Sequence, residues 1–274
     1  FFLVVHAIIF HYLIFEGLKK YAYYVFPALL MYYVLFIGLM GSNRQLLALA
    51  ICFYAIRYIL EDKKKKFLLA IVIAFFFHKS ALIFSVYYFL NRKFSLPVIL
   101  TTTLVALVIG MTSIPILVFS GFTERFFDES AVYKATHYLS SDGNESSLGL
   151  SITGLVKRVV LVFVFYKVSL KIEKQLPLYN LIFNGYLVGV NIYFMFSKSL
   201  LIIVNRGSLY FNIMEPILWS YLLLFVHKKI RVGLMLVFLI MAFLFFYQSI
   251  ALYTDLFIPY KGVFMNTDYH RDLY

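Results

Sequence analysis

Long apolar runs separated by short basic clusters constrain this chain more than any other feature of its sequence. A helix that crosses a bilayer needs about 20 mostly apolar residues. Continuous helices are favoured there because lipid cannot satisfy free backbone groups. We predict membrane spans at 1–18, 21–40, 44–60, 97–119, 154–172, 178–198, 208–226 and 232–253. The sequence therefore predicts an all-α fold, a polytopic transmembrane helical bundle of about eight or nine membrane segments.

The composition agrees with this fold class and excludes several others. Apolar residues make up 63% of the chain and charged residues 14%, whereas a soluble domain is nearer half apolar and a quarter charged. The net charge is +12, but the positive residues lie between apolar runs, so we predict no nucleic-acid partner. Cys52 is the single cysteine, which excludes an intrachain disulfide and a cysteine-based metal site.

Basic residues in short loops set the predicted orientation, because such clusters stay on the cytoplasmic side. These clusters are Lys19-Lys20, Lys63–Lys66, Arg92-Lys93, Lys171 with Lys174, and Lys228-Lys229 with Arg231. The polar loop 120–153 and the tail from Thr254 are then extracytoplasmic. We predict a single transmembrane domain over residues 1–274. The apolar first residues, which lack an initiator Met, indicate a transmembrane helix whose preceding sequence is missing.

The predicted topology fixes how many times the apolar run 67–90 can cross the membrane. The basic clusters on both sides of it are cytoplasmic only if the chain between them crosses an even number of times. His78-Lys79-Ser80 interrupts the run near its middle. We therefore predict a broken or re-entrant segment, which rises through Phe67–Phe77 and returns through Ala81–Leu90. The alternative is one straight helix with a lone histidine that faces a neighbour.

Cations and neutral polar residues open two of the spans at their predicted outer ends. Arg44 with Gln45 follows Gly41-Ser42-Asn43, and Arg206 stands one turn before Tyr210. A guanidinium there suits the oxygens of a phosphate, and the amide of Gln45 can donate and accept hydrogen bonds. The alternative is that these arginines snorkel to lipid head groups.

Two further residues are candidates for proton transfer. His78 lies at the predicted helix break beside Ser80, and imidazole titrates near neutral pH. The alternative for His78 is a satisfied core histidine. Glu215 lies inside a span, where a carboxylate needs a partner or a wet cavity. The sequence leaves open whether Glu215 is a counter-ion to a basic residue or a general base.

Lys157 and Arg158 add two cations at the outer end of 154–172. Their alternative role is to bind lipid phosphates. Together with Arg44, Lys79 and Arg206 they create the electrostatic field expected at a diphosphate headgroup site. The sequence has no Gly-rich phosphate loop, no His-Glu-x-x-His and no Asp-x-Asp pair, so we predict no cytoplasmic nucleotide-driven reaction and assign no metal ligand and no cofactor.

Four short motifs occur in an order that resembles the EpsG family, the Wzy-like polymerases of bacterial exopolysaccharide, capsule and O-antigen. They are Ser42-Asn43-Arg44-Gln45, Phe77-His78-Lys79-Ser80-Ala81, Arg206 with Tyr210-Phe211, and Ile258-Pro259-Tyr260. Members of the family usually carry further N-terminal helices, which this chain lacks. The resemblance covers most of the sequence.

The resemblance implies a metal-independent glycosyltransferase of the GT-C type in the bacterial cytoplasmic membrane. Its substrate would be an oligosaccharide repeat unit on undecaprenyl diphosphate, and a flippase and a chain-length regulator would be its candidate partners beside membrane lipids. We expect His78, Arg44, Arg206 and Glu215 to be catalytic. The expected substrate-binding residues are Gln45, Ser80, Lys157, Arg158 and Tyr210. The loop 120–153 would close over the glycan as a lid.

Two other functional classes fit part of the pattern. A transporter, such as a flippase for lipid-linked glycans, would also need cations and a polar cavity, but it would place charges along a path through the bilayer. A membrane acyltransferase or ligase would share the outer-face histidine and arginines and would differ in its donor.

Overall fold

The computed structural model describes residues 2–37, 43–126, 152–172, 176–200, 203–224 and 226–251, and these residues form helices and short connections without a β-strand. The α-helices, in chain order, are α1 Phe2–Tyr21, α2 Val25–Phe36, α3 Asn43–Leu60, α4 Lys64–Phe77, α5 Leu96–Gly110, α6 Ile114–Phe126, α7 Ile152–Ser169, α8 Leu176–Phe196, α9 Leu209–Asn212, α10 Glu215–Leu222 and α11 Lys228–Ala251. A 3-10 helix spans Lys79–Phe89, and a π-helical turn spans Ile203–Gly207.

Helices α1 and α3 pack side by side in the same direction and give the bundle two chemically different ends. At one end the His6 ring lies 2.7 Å from the carbonyl oxygen of Asn43. At the other end Lys20 donates to the carboxylate of Glu61 over 2.9 Å. At about 1.5 Å per residue, the 18 residues of α3 separate these two ends by about 27 Å.

The predicted break at His78 is present, and the chain folds back there into a hairpin. Helix α4 ends at Phe77, and the 3-10 helix runs back along it, so that the Tyr88 ring stands 6.4 Å from the Phe67 ring and the Lys64 ammonium 5.6 Å from the Tyr88 ring. The hairpin therefore begins and ends at the basic end of α3. The straight-helix alternative for 67–90 is not the conformation that the chain adopts.

Two predicted continuous spans are broken in the structure. The span 97–119 is divided into α5 and α6, which meet at an angle of 77°. Gly110, the last residue of α5, lies so close to α8 that an added Cβ would stand 2.0 Å from the Phe194 carbonyl oxygen. The span 208–226 is divided into α9 and α10, with Pro216 in the first turn of the second helix. Tight backbone packing and proline, which periodicity does not reveal, explain both breaks.

Only part of the predicted extracytoplasmic loop 120–153 can be compared with the structure. Its first residues, through Phe126, continue α6 and are helical, in contrast to the loop that the sequence suggested. Its last residues, from Ile152, open α7. Residues 127–151 and the tail 252–274, which include the predicted lid and the motif Ile258-Pro259-Tyr260, lie outside the described residues.

The outer surface of the bundle is strongly apolar. Among the described helices, Lys229–Gln248 is long and apolar enough to cross a membrane, and the bent α5–α6 pair would be a second crossing if it counts as one span. Large apolar side chains are also exposed on the shorter helices, such as Leu68 and Phe76 on α4 and Leu104 on α5. Contiguous apolar surface of this extent is typical of a protein that faces lipid.

Candidate functional site

The tip of the hairpin places His78 at the junction of two helices. Its N–H closes the last turn of α4 on the Ala74 carbonyl oxygen at 3.0 Å, and its backbone then becomes extended, with φ −155° and ψ 123°. Its ring turns toward the next helix, where Nδ1 lies 2.5 Å from the Ser80 hydroxyl oxygen and 3.3 Å from the Ser80 backbone nitrogen. When Nδ1 carries no hydrogen, it accepts from the Ser80 N–H and caps the 3-10 helix, whereas the tautomer with a hydrogen on Nδ1 loses this cap. In both tautomers the helix break fixes the direction of the imidazole.

A hydroxyl chain continues from this imidazole into the protein interior. The Ser80 hydroxyl donates to the Tyr210 hydroxyl at 3.0 Å, and Tyr210 is fully buried. With the Ser80 hydrogen directed to Tyr210, the Ser80 oxygen accepts from Nδ1–H, and Nε2 of His78 keeps its lone pair. In the other tautomer Nδ1 accepts from Ser80 and Nε2 carries the hydrogen. The chain His78–Ser80–Tyr210 can therefore exchange between two proton arrangements.

Two arginines from distant parts of the sequence lie on segments that meet at the hairpin tip. Arg44 is next to Gln45 at the start of α3, and Arg206 lies one turn before Tyr210, which accepts from the Ser80 hydroxyl. Gln45 joins their two segments, because its side-chain amide donates to the Arg206 carbonyl oxygen at 2.8 Å. The π-helical turn carries Arg206 at this point, and such turns often mark functional sites.

These six residues form a layered site, which we call the cation–imidazole site: Arg44, Gln45, His78, Ser80, Arg206 and Tyr210. The side chains of Arg44 and Arg206 are exposed, and His78 and Ser80 are half-buried. Gln45 and Tyr210 are buried, at 5% and 0% exposure. An anion can therefore reach the guanidinium groups from the protein surface. The imidazole is held on its buried side by Ser80, which in turn contacts Tyr210.

Lys157 and Glu215 form an ion pair with each other, 3.1 Å between Nζ and Oε1. The Glu215 side chain is only 13% exposed, and the indole N–H of Trp219 donates to the same oxygen at 3.4 Å. Within the described parts of the chain, no hydrogen bond or ion pair joins this pair to the cation–imidazole site. The geometry agrees with the counter-ion role that the sequence left open for Glu215.

Arg158 stacks on an aromatic ring near the end of α8. Its guanidinium carbon lies 3.5 Å from the centre of the Tyr193 ring, and Nη1 donates to the Gly154 carbonyl oxygen at 3.1 Å. Tyr193 lies close to Phe196, where α8 ends before the π-helical turn. Sequence reasoning did not select Tyr193, and the 23 tyrosines of the chain offer no signal that separates it from the others.

The sequence analysis also did not select Trp219. Its spacing of four residues from Glu215 places the two side chains on one helix face, and this i, i+4 spacing was the available signal.

The described residues contain no group of three or more His, Cys, Asp or Glu side chains placed to hold a metal ion.

The fold and the site together define a helical membrane protein with a cationic, histidine-containing site at one end of its bundle. The family model of the EpsG family matches residues 1–262, and the chain therefore belongs to the EpsG family. This membership makes it a membrane protein associated with polysaccharide biosynthesis. Comparisons with curated proteins and with solved structures find no match.

Proposed function

We propose that this protein is a polysaccharide polymerase, a glycosyltransferase that joins oligosaccharide repeat units carried on undecaprenyl diphosphate at the outer face of the bacterial cytoplasmic membrane. The observation that carries the proposal is the junction of the segments that bear Arg44, His78 and Arg206, which the Gln45–Arg206 and Ser80–Tyr210 hydrogen bonds hold together. Membership of the EpsG family supports the same reaction class.

The chemistry requires two kinds of group, and the cation–imidazole site offers both. A hydroxyl of the acceptor unit attacks the anomeric carbon of the donor, a new glycosidic C–O bond forms, and the bond from that carbon to the diphosphate oxygen breaks. The departing lipid diphosphate gains negative charge, which Arg44 and Arg206 stabilise. The hydroxyl proton passes to Nε2 of His78.

The hydroxyl chain below the imidazole has a positioning role in this proposal. Nε2 accepts a proton only when Nδ1 carries the ring hydrogen, and the Ser80 oxygen accepts that hydrogen while Ser80 donates to Tyr210. Gln45 keeps the Arg206 segment against the start of α3. Orientation of this kind is a large part of what an enzyme contributes to a displacement between two bound substrates.

An apolar groove beside the π-helical turn suits the lipid tail of the donor. Its cavity volume is about 300 Å³, and its lining includes Ile109, Pro115, Val118, Phe119, Phe196 and Ile203. Ile203 opens the same turn that carries Arg206. In this arrangement a diphosphate bound to the arginines would place its polyprenyl chain in the groove between α6 and α8.

Lys157, Arg158 and Glu215 remain candidates for a supporting role. Arg158 stacks on Tyr193 near the end of α8, and it would strengthen the positive field on that side of the donor site. The Lys157–Glu215 pair would keep the start of α7 fixed against α10. Glu215 would act as a general base only if substrate binding separated it from Lys157.

The experiment is polymerisation of a lipid-linked repeat unit by membranes that contain single alanine variants of Arg44, His78 and Arg206. We expect losses of about 10²–10³-fold for each arginine and about 10²–10⁴-fold for the histidine. Arg92→Ala is the matched control, because Arg92 is exposed at the basic end of the bundle. Full-length polymer from all three variants at normal protein levels would remove the catalytic assignment.

The same membranes separate the polymerase from a flippase. A flippase would move the labelled lipid-linked unit across sealed vesicles without chain growth, and alanine at Arg44 or Arg206 would slow that movement. The polymerase proposal predicts chain growth from substrate supplied on the outer face alone. The gathering of Arg44, His78 and Arg206 at one end of α3 favours the polymerase over a path of charges through the bilayer.

A further inference from the structure

A second polar pocket lies at the opposite, basic end of the bundle. It occupies about 220 Å³ between the C-terminal turns of α1 and α3 and is lined by Glu16, Lys19, Lys20, Tyr21, Tyr54 and Arg57. We call it the basic-end pocket. It shares no residue with the cation–imidazole site, and the length of α3 separates the two. Three basic side chains and one carboxylate give its lining a net positive charge.

Arg57 is held in this pocket by aromatic groups and not by an acid. Its guanidinium carbon lies 3.8 Å from the centre of the Tyr54 ring, and Nη2 donates to the Tyr58 hydroxyl at 2.8 Å. Its Nε is buried and has no hydrogen-bond partner among the described residues. No carboxylate of the described residues lies within ion-pair distance of Arg57. A guanidinium that aromatic groups hold in place and that has no carboxylate partner is suited to bind the oxygens of a phosphate.

The neighbouring lysines extend the positive surface toward solvent. Lys20 is paired with Glu61 at 2.9 Å, whereas Lys19 meets Glu16 only at 4.0 Å and its side chain is 63% exposed. Lys19 is therefore available to a second oxygen of the same ligand. The carboxylates neutralise part of the lysine charge but do not approach the arginine.

The surface next to the pocket indicates where the rest of the ligand would lie. Phe15 is four residues before Lys19 on α1, and Tyr12 is four residues before Glu16, so both lie on the helix faces that lead away from the pocket. Both are exposed, at 45% and 59%. Acyl chains attached to a phosphate in the pocket would run along these aromatic side chains, in the direction of the bundle centre.

We propose that the basic-end pocket binds the phosphate of an anionic phospholipid from the leaflet opposite to the cation–imidazole site. Arg57 provides the planar fork, Lys19 provides the second cation, and the exposed α1 face accommodates the acyl chains. Basic pockets between helices on the cytoplasmic side of membrane proteins recognise lipid head groups by this chemistry. The proposal does not depend on the polymerase reaction, because its pocket and its residues are separate.

The test is lipid retention by the purified full chain, released from nanodiscs of phosphatidylcholine with or without phosphatidylglycerol and measured by native mass spectrometry. We expect wild-type protein to retain phosphatidylglycerol. The change Arg57→Gln should lower its affinity about tenfold, and Lys19→Gln should lower it about fivefold. Lys19 is exposed, so the second variant keeps the test valid if the first does not fold. Arg92→Gln is the matched control, because it removes an exposed basic charge outside the pocket.

Two outcomes would overturn the proposal. Equal retention of phosphatidylglycerol by wild-type protein, Arg57→Gln and Lys19→Gln would show that the pocket binds no lipid phosphate. Displacement of the bound lipid by inorganic phosphate, together with equal retention of phosphatidylcholine, would show an anion site without lipid preference. Selective loss of phosphatidylglycerol in the two pocket variants, with retention in Arg92→Gln, would support it.

Discussion

The hydroxyl of Tyr210 offers a quantitative test of the proton arrangement around His78. The change Tyr210→Phe removes the acceptor of the Ser80 hydroxyl, which lies 3.0 Å away, and leaves the buried ring in place. Ser80 can then turn its hydrogen toward Nδ1 of His78, which stabilises the tautomer that carries a hydrogen on Nε2. That tautomer cannot accept the proton of the acceptor sugar.

The expected size follows from the value of one hydrogen bond. A typical intramolecular hydrogen bond contributes about 0.5–1.5 kcal/mol net, and 1.4 kcal/mol corresponds to a factor of ten. The fraction of His78 in the competent tautomer should therefore fall about two- to tenfold, and kcat should fall by the same factor with KM unchanged. This loss is much smaller than the roughly 10²–10⁴-fold loss expected for removal of the base itself.

The assay is steady-state polymerisation in membranes, with the unfolding midpoint of the purified protein measured in parallel. Tyr87→Phe is the matched control. Tyr87 is also fully buried, and its ring stacks on Phe84 at 4.2 Å, but its hydroxyl has no hydrogen-bond partner within the described ranges of the chain. Because removal of an unpaired buried hydroxyl leaves no group unsatisfied, we expect normal kcat and equal or higher stability for Tyr87→Phe.

The comparison can refute the reasoning in two ways. If Tyr210→Phe and Tyr87→Phe had the same kcat, the hydroxyl chain would have no part in positioning His78. If Tyr210→Phe raised KM and left kcat unchanged, Tyr210 would contact the substrate and not the base. Either result would leave Arg44 and Arg206 as candidates and would remove the tautomer argument.

Two further predictions concern packing and charge. Gly110→Ala should strongly destabilise the fold, because its Cβ would stand 2.0 Å from the backbone oxygen of Phe194. Gly233→Ala, which would meet no atom of the described residues within 4 Å, should be neutral or stabilising by up to about 1 kcal/mol. Equal unfolding midpoints for the two variants would contradict the close contact of α5 with α8. For the half-buried Lys157–Glu215 pair we expect a coupling of about 1–3 kcal/mol in a double-mutant cycle on stability. If the pair is structural, the double alanine variant should polymerise better than the variant without Glu215 alone, and equally low activity of both variants would indicate a catalytic carboxylate.

Several features of the cation–imidazole site could be predicted from the sequence because polarity is costly among apolar residues. Arg44, His78 and Arg206 were selected on that ground, and the break at His78 followed from the polar triplet in an apolar run and from the basic clusters on both sides. The structure brings together the segments that carry these three residues. Their roles in catalysis stay a prediction.

Other features could not be predicted from local sequence. The helix pair α5–α6 bends by 77° where Gly110 lies against the backbone of α8, and this contact joins segments far apart in the chain. The ion pair between Lys157 and Glu215 joins residues far apart in the chain. The basic-end pocket requires Tyr54 and Tyr58, one helical turn apart from each other, to enclose Arg57 beside the end of α1.

The sequence by itself determined that the chain is helical and apolar on its surface, and that charges gather in the short segments between apolar runs. These properties follow from the cost of an unpaired backbone group or charge in lipid, which each residue carries wherever it is placed. Only the tertiary structure decided which charges meet. The segments of Arg44, His78 and Arg206 meet because a hairpin, a π-helical turn and the start of α3 converge, and convergence of this kind depends on packing between distant segments.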